Sequence, residues 1–417
     1  MNLKLMQLKV LFKMFKSLKV KTDKNTRAFL SLVRAGLWEN CDEFQVSGFK
    51  FQDSVDWEKV YLLAEEQSVV GLVLAGIERL KNANHHLEID QDLLLQLIGE
   101  VQILEQQNKA MNVFVAELIE KLRKDDVYAI LVKGQGIAQC YERPLWRSLG
   151  DVDLLLSDTN YEKAKKVLLP LAVEVDTEFK SLKHLGMTMT GGFVVELHGM
   201  LHSRLSKRID RGIDEAQKDV FFRGNARSWM NGSTSVFLPA PDNDVIFIFT
   251  HILKHFFIGG IGLRQICDWC RLLWTFKDSL NCELLEKRLR HMGLMSEWRA
   301  FAAFAVEYFG MPIEAMPFYD SRFKVKGERI LEFVLETGNF GHNREINRSR
   351  IFFIRKTQAA WFKMGDFSRH AKLFPLDSVK FYCHYLLDGI RQAYAIKFSK
   401  RREKVTRHET NCYKRGI

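Results

Sequence analysis

At 417 residues the chain is long enough for two or three hydrophobic cores. A composition of 47% hydrophobic and 27% charged residues is ordinary for a globular protein, and 7 prolines against 31 phenylalanines favour a helix-rich, well-packed one. No apolar run approaches the roughly 18 residues of a spanning helix. The 7 scattered cysteines form no disulfide framework and no secretory signal is evident, so a reducing, cytoplasmic setting is expected.

The net charge of +11 sits mainly at the two ends. Residues 1–22 read as a basic N-terminal extension, with lysines at 4, 9, 13, 16, 19 and 21 and no acid. Leu5, Leu8, Phe12 and Phe15 fall near helical spacing, which leaves open a peripheral contact with an anionic membrane; a frayed extension is the simpler reading. Residues 397–417 read as a second basic, solvated tail. The body between them is close to neutral, so nucleic acid is allowed as a partner but not required.

Residues 23–125 read as a helical lead-in. Phe29, Leu30, Leu32, Val33 and Leu37 repeat at helical spacing, Asp53-Ser54 stands as an N-cap before a helix from Trp57 to Leu80, and Gln91 to Arg123 continues as one long helix or a pair. A core segment over 126–240 mixes strands with short helices, at Gly136–Tyr141 and Tyr161–Leu171. Helices return over 241–396, the first of them capped by Asp242-Asn243-Asp244. His251 and His255 on that helix have a zinc-binding spacing, but Ile252 stands where the His-Glu-x-x-His motif needs its acid. Arg264 and Asp268 are placed for a local i, i+4 ion pair, and Cys267 and Cys270 read as core thiols. Arg348, Arg350 and Arg355 fit an exposed helix flank as well as a phosphate contact.

The chemistry concentrates in the core segment. Arg147-Ser-Leu-Gly-Asp151-Val-Asp153-Leu-Leu-Leu156 reads as a short strand, and the two-residue period puts Asp151 and Asp153 on one face with Val152, Leu154 and Leu156 on the other. Two like charges on a half-buried strand are costly unless a cation offsets them, and Mg²⁺ shared with substrate phosphates is such a cation. Upstream, Val127 to Val132 is an apolar run that ends in Lys133-Gly134-Gln135-Gly136, a strand–turn–helix arrangement suited to phosphates. Lys133 and Arg147 flank the turn and the acidic strand and are placed for phosphate contacts. Downstream, Phe193 to His198 alternates again, with Val194, Glu196 and His198 on one face, so that Glu196 offers a third carboxylate and His198 a group to orient it.

These residues resemble a family. The Leu131-Val-Lys133-Gly134 turn, Tyr141, Arg143, Arg147 to Asp153, and Glu196-Leu-His198 are similar to the bacterial uncharacterised nucleotidyltransferase family, of the DNA polymerase β-like nucleotidyltransferase superfamily. Thr250-His251, His255 and the stretch Gly262 to Asp268 resemble its helical half. Gln135 stands where many relatives carry Ser, and the third acid is Glu196 rather than Asp. The resemblance implies an α+β fold: a small mixed-sheet nucleotidyltransferase core flanked by N- and C-terminal helical regions. It implies transfer of a nucleoside monophosphate from a nucleoside triphosphate, dependent on Mg²⁺ or Mn²⁺. Asp151, Asp153 and Glu196 would be metal ligands and catalytic groups, and Lys133, Gly134, Gln135 and Arg147 would bind the nucleotide. His198, His251, His255 and Arg264 would border the acceptor pocket. Members often accompany polysaccharide-biosynthesis genes, which points to a sugar acceptor by association only. Two alternatives share the fold: toxin-like nucleotidylation of RNA or protein, and a non-catalytic scaffold, which the presence of all three carboxylates argues against.

Overall fold

The computed structural model describes residues 23–39, 55–83, 85, 87–339, 352–383 and 385–387. The basic stretches 1–22 and 397–417, the cap at Asp53-Ser54, and the arginines at 348, 350 and 355 lie outside the residues or side chains described. The described residues open with four helices: α1 (Lys24–Leu37), α2 (Trp57–Glu66), α3 (Val70–Asn82) and α4 (Gln91–Lys124). The core follows as β1 (Ala129–Val132), α5 (Gly134–Ala138), β2 (Val152–Leu156), α6 (Asp158–Leu168), β3 (Ala172–Val175), β4 (His184–Met189), β5 (Val194–His198), α7 (Lys207–Phe222), β6 (Ala226–Asn231) and β7 (Thr234–Pro239). Helices close it: α8 (Pro241–Ile258), α9 (Leu263–Thr275), α10 (Cys282–Met292), α11 (Met295–Phe309), α12 (Lys324–Thr337) and α13 (Phe352–Leu373). The fold is α+β, as expected.

The strands make one mixed seven-stranded sheet in the order β3-β4-β5-β2-β1-β7-β6. β1 runs antiparallel to β2 with Val132 opposite Asp153, and β2 runs parallel to β5 with Asp153 opposite Glu196. β4 lies antiparallel on the far side of β5, with His184 opposite His198. The two-residue period then sorts the faces. Leu131, Val152, Leu154, Leu156, Leu185, Met187, Val195 and Leu197 bury one face under Met111, Val115, Leu118, Ile119 and Leu122 of α4 and Tyr161, Ala164 and Leu168 of α6. The opposite face contributes Ile130, Val132 and Leu155 to a larger helical core.

That larger core draws on both ends of the chain. Ala28, Phe29, Leu32 and Val33 of α1 join Phe249, Phe256, Trp269, Trp298, Phe301 and Phe304 from α8, α9 and α11. Phe249 meets Trp298 edge-on at 4.8 Å, and Trp269 meets Trp298 in the same way. Each such fully buried ring contributes roughly 1.5–3 kcal/mol in area terms. The lead-in therefore divides: α1–α3 serve the helical core, while the second half of α4 backs the sheet.

Local boundaries differ from expectation for identifiable reasons. The stretch from Trp57 to Leu80 is broken at Ser68, which takes φ 55°. The break points Gln67 at the start of α9, where its side-chain oxygen accepts from Leu263 N at 3.0 Å and its carbonyl accepts from Arg264 N. A buried helix end needs such partners, and a tertiary cap outweighs helix propensity here. Asp56 caps α2, accepting from Lys59 N. At the start of α8 the N-cap is Ala240, with Pro241 in the first turn; Asp242 and Asp244 lie inside the helix. Asp244 pairs with Arg227 at 2.9 Å instead of capping. Gln91 to Lys124 is a single 34-residue helix, and Cys267 and Cys270 are buried free thiols, as read.

Candidate functional site

The site lies at the end of β1, β2, β5 and β4, on the face turned toward the helical core. β1 ends at Val132, and the chain turns through Lys133 (φ 59°) and Gly134 (φ 41°) into α5. A side chain at Gly134 would be strained by that angle, and its Cβ would stand 3.1 Å from the Asp151 carbonyl oxygen. The glycine therefore lets the phosphate-type turn sit directly against the acidic strand. A lysine at positive φ is uncommon and strained, a feature that tends to mark working sites.

Asp151, Asp153 and Glu196 share the face the alternation assigns them, across the β2–β5 register. The cation that offsets them is in the chain itself. Lys133 Nζ bonds Asp153 Oδ1 at 2.9 Å. The same oxygen meets His198 Nε2 at 2.8 Å, and His198 Nε2 is 3.2 Å from Glu196 Oε2. From β4, His184 Nε2 reaches that same Glu196 oxygen at 3.3 Å, and the two imidazoles stack with centroids 4.7 Å apart.

The electrostatics separate the three acids. Burial raises Asp153, but the Lys133 ammonium and the His198 bond outweigh it and hold the carboxyl below its usual range. Glu196 is likewise lowered despite burial, through its bonds to His184 and His198. Asp151 goes the other way: loss of water around its carboxyl, then the charges of Glu196 and Asp153, push it up. Asp151 is thus the acid whose charge is least compensated.

Two residues expected at the nucleotide have other duties. Arg147 is buried and forks onto Asp268 of α9, with Nε–Oδ1 at 2.7 Å and Nη2–Oδ2 at 2.8 Å, while Tyr141 donates to the same carboxylate at 2.8 Å. A guanidinium committed to a buried bidentate pair is not free to meet phosphates. The local Arg264–Asp268 pair is replaced accordingly: Arg264 donates instead to the carbonyls of Ser148 and Leu149. Its guanidinium is pushed down to about 10 by burial and by Arg147. Together these residues pin the Arg147–Gly150 loop, and so Asp151, to α9. The Gln135 side chain turns to α4, donating to Asn108 and Asn112 at 3.1 and 2.7 Å, so only its backbone faces the turn.

α8 supplies the opposing wall. His251, Lys254 and His255 fall at i, i+3, i+4 on one helix face. Lys254 is lowered by burial and by Lys133, with Glu196 and Asp153 opposing, so it stands within electrostatic reach of the acids. His251 and His255 meet edge-on at 4.3 Å and are both pushed down, chiefly by burial. His184 and Lys254 are the site residues that sequence reasoning missed. A signal existed for each: Leu185, Met187 and Met189 alternate, which puts His184 on the polar face, and Lys254 shares a helix face with both histidines.

Residues 53–310, more than half of the chain, match the family described as "Uncharacterised nucleotidyltransferase". The chain belongs to that uncharacterised nucleotidyltransferase family. No curated protein and no solved structure matches it. Among the described residues no helix is long and apolar enough to cross a membrane.

Proposed function

We propose that the protein transfers a nucleoside monophosphate from an NTP to an acceptor with the help of Mg²⁺ or Mn²⁺, and that it works in the cytoplasm. The observation that carries this reading is the convergence of Asp151, Asp153 and Glu196 beside the Lys133–Gly134 turn. The donor set fits a hard divalent cation, because the Asp151 carboxyl is pushed up by loss of water and then by the charges of Glu196 and Asp153, a cost that a bound cation relieves. Asp151 and Asp153 would hold the ion, with Glu196 beside them. When bound, it neutralises phosphate charge and polarises the α-phosphate.

The chain's own groups do the rest. The Lys133–Gly134 turn receives the phosphates, with Lys133 exchanging Asp153 for a phosphate oxygen. Lys254 neutralises the far side of the triphosphate. The acceptor hydroxyl oxygen attacks the α-phosphorus in line, its proton passing to water, as the bond to the β-phosphate oxygen breaks and pyrophosphate leaves. Glu196, held below its usual range, is a weak proton acceptor and a good cation ligand, so it serves here as a ligand rather than as the base. The α9 clamp keeps Asp151 in place. His251 and His255 border the acceptor side, and an acceptor from polysaccharide assembly rests on the family resemblance alone.

The test is coupling between nucleotide and metal. An NTP should raise the melting temperature with Mg²⁺ present and do little in EDTA, because each ligand completes the other's site. An equal shift with and without metal places the nucleotide elsewhere and ends the reading. Transfer of label from an α-labelled NTP into cell extract then identifies the acceptor.

A further inference from the structure

The site contains two nitrogen donors that an all-carboxylate Mg²⁺ site does not need. His184 Nε2, Glu196 Oε2 and His198 Nε2 lie within 4.8 Å of one another. The two nitrogen-to-oxygen separations are 3.3 and 3.2 Å. Those are long for charge-assisted hydrogen bonds, which favour about 2.7–2.9 Å. They equal the roughly 3.3 Å between neighbouring ligands around a tetrahedral ion bound at about 2.0–2.1 Å. The sheet fixes the arrangement: His184 and His198 are register partners across β4–β5, and their rings stack only 17° from parallel. Both Nε2 atoms thus lie within reach of a single carboxylate oxygen.

We propose that His184, Glu196 and His198 form a second cation site, distinct from the Asp151–Asp153 site, that binds a borderline divalent ion of the Zn²⁺, Co²⁺ or Mn²⁺ class in preference to Mg²⁺ and does so without nucleotide. Imidazole suits such ions, whereas Mg²⁺ prefers oxygen ligands and keeps its waters. Carboxylates only accept hydrogen bonds, so in the metal-free form His184 Nε2 donates to Glu196 and His198 Nε2 to Asp153, and the ion would take the place of both hydrogens. Three protein ligands leave one position open, and the side chains of His184 and Glu196 are each 28% exposed, so that position can face solvent or substrate. Lys133 stays on Asp153 when His198 turns to the ion, which keeps the buried carboxylate paired. The role of this ion in nucleotidyl transfer rests on the function proposed above; the site itself rests on geometry.

The experiment titrates the full chain, without nucleotide, with Zn²⁺ and separately with Mg²⁺ by calorimetry, and records the visible absorption of the Co²⁺ form. One equivalent of Zn²⁺ should bind at least ~10-fold more tightly than Mg²⁺, with a Co²⁺ spectrum typical of mixed nitrogen–oxygen ligation. His184→Gln should weaken Zn²⁺ by about 10–100-fold and change that spectrum, while its metal-free melting stays near wild type because the residue is half-exposed at a strand start. His198→Gln is the second variant, and the wild-type spectrum stands independently of either. Zn²⁺ bound no more tightly than Mg²⁺, or Zn²⁺ affinity and a Co²⁺ spectrum indifferent to His184→Gln, overturns the inference. The Mg²⁺-dependent NTP shift is scored separately. Its survival with no Zn²⁺ site removes only this inference, and its loss with the Zn²⁺ site intact removes only the nucleotidyl-transfer reading.

Discussion

Two acid–cation groups lie within a few residues of each other, and they are built for opposite purposes. Arg147, Asp268 and Tyr141 are closed: both carboxylate oxygens of Asp268 are taken by the guanidinium, the phenol adds a further bond, and the pair's side chains are 5% and 7% exposed. Lys133, Asp153 and His198 are also paired, yet they adjoin Asp151, Glu196 and His184, which are open to solvent and crowd like charges together. The closed group spends its charge on holding a loop to α9. The open group keeps charge that a ligand can use. Partner geometry and crowding, more than residue type, separate a fastener from a working site.

The largest expected effect comes from breaking the closed group. Asp268→Ala leaves the Arg147 guanidinium buried without its carboxylate and the Tyr141 hydroxyl without its acceptor, which should cost about 3–5 kcal/mol in urea unfolding. A paired Arg147→Met, Asp268→Leu variant should recover most of that loss, because it removes the uncompensated charge. A double variant no more stable than the single one would mean the clamp is not a charge pair.

Asp153→Asn should show the opposite balance. The amide keeps the shape and loses the charge, so transfer of label from an α-labelled NTP should fall by about 10²–10³-fold. Stability should change by only about 1–2 kcal/mol, since the Lys133 side chain is 17% exposed and can turn to water. A large melting loss with activity retained would make this group a second fastener. A smaller effect is expected from Lys254→Met, which removes a cation facing the acids without breaking a pair. NTP affinity in Mg²⁺ should drop about tenfold, equivalent to ~1.4 kcal/mol, with the nucleotide-free melting temperature little changed.

The contrast also shows what the sequence made legible. The faces of β2 and β5 follow from alternation, because a one-residue slip would turn Val152, Leu154, Val195 and Leu197 away from the α4–α6 core and Asp153 and Glu196 into it. The acids and the Lys133–Gly134 turn could be placed for the same local reason. The partner of Arg147 could not, since Asp268 is 121 residues away and an equally good local partner, Arg264, stands four residues from that acid. The direction of the Gln135 side chain is hidden for the same reason, its amide donating to Asn108 and Asn112 on α4. Local periodicity fixes which face a side chain takes; it does not fix which long-range partner wins there.

The smallest effect concerns the α8 wall, which feels the charges of the open group. In the unfolded chain a histidine takes a proton near pH 6.5. In the fold, burial and then Lys254 and Lys133 hold His255 down to about 3. The unfolded state therefore binds the extra proton between those values, so stability is fully present above about pH 6.5 and falls as the pH drops through that window. The total pH profile will not isolate this, because Asp244, raised by burial to about 6, titrates in the opposite sense: its protonation stabilises the fold as pH falls. Glu297, raised by burial and by Asp377, does the same. The difference between wild type and His255→Gln cancels both. From pH 7 to pH 5 a fully buried ring would lose about 2 kcal/mol relative to the variant. His255 is half-buried, so about 1 kcal/mol is expected after solvent screening. Urea midpoints of the two proteins at the two pH values measure it, and a difference that stays flat across the window would mean that the ring is hydrated and that the α8 wall does not press its charge on the site.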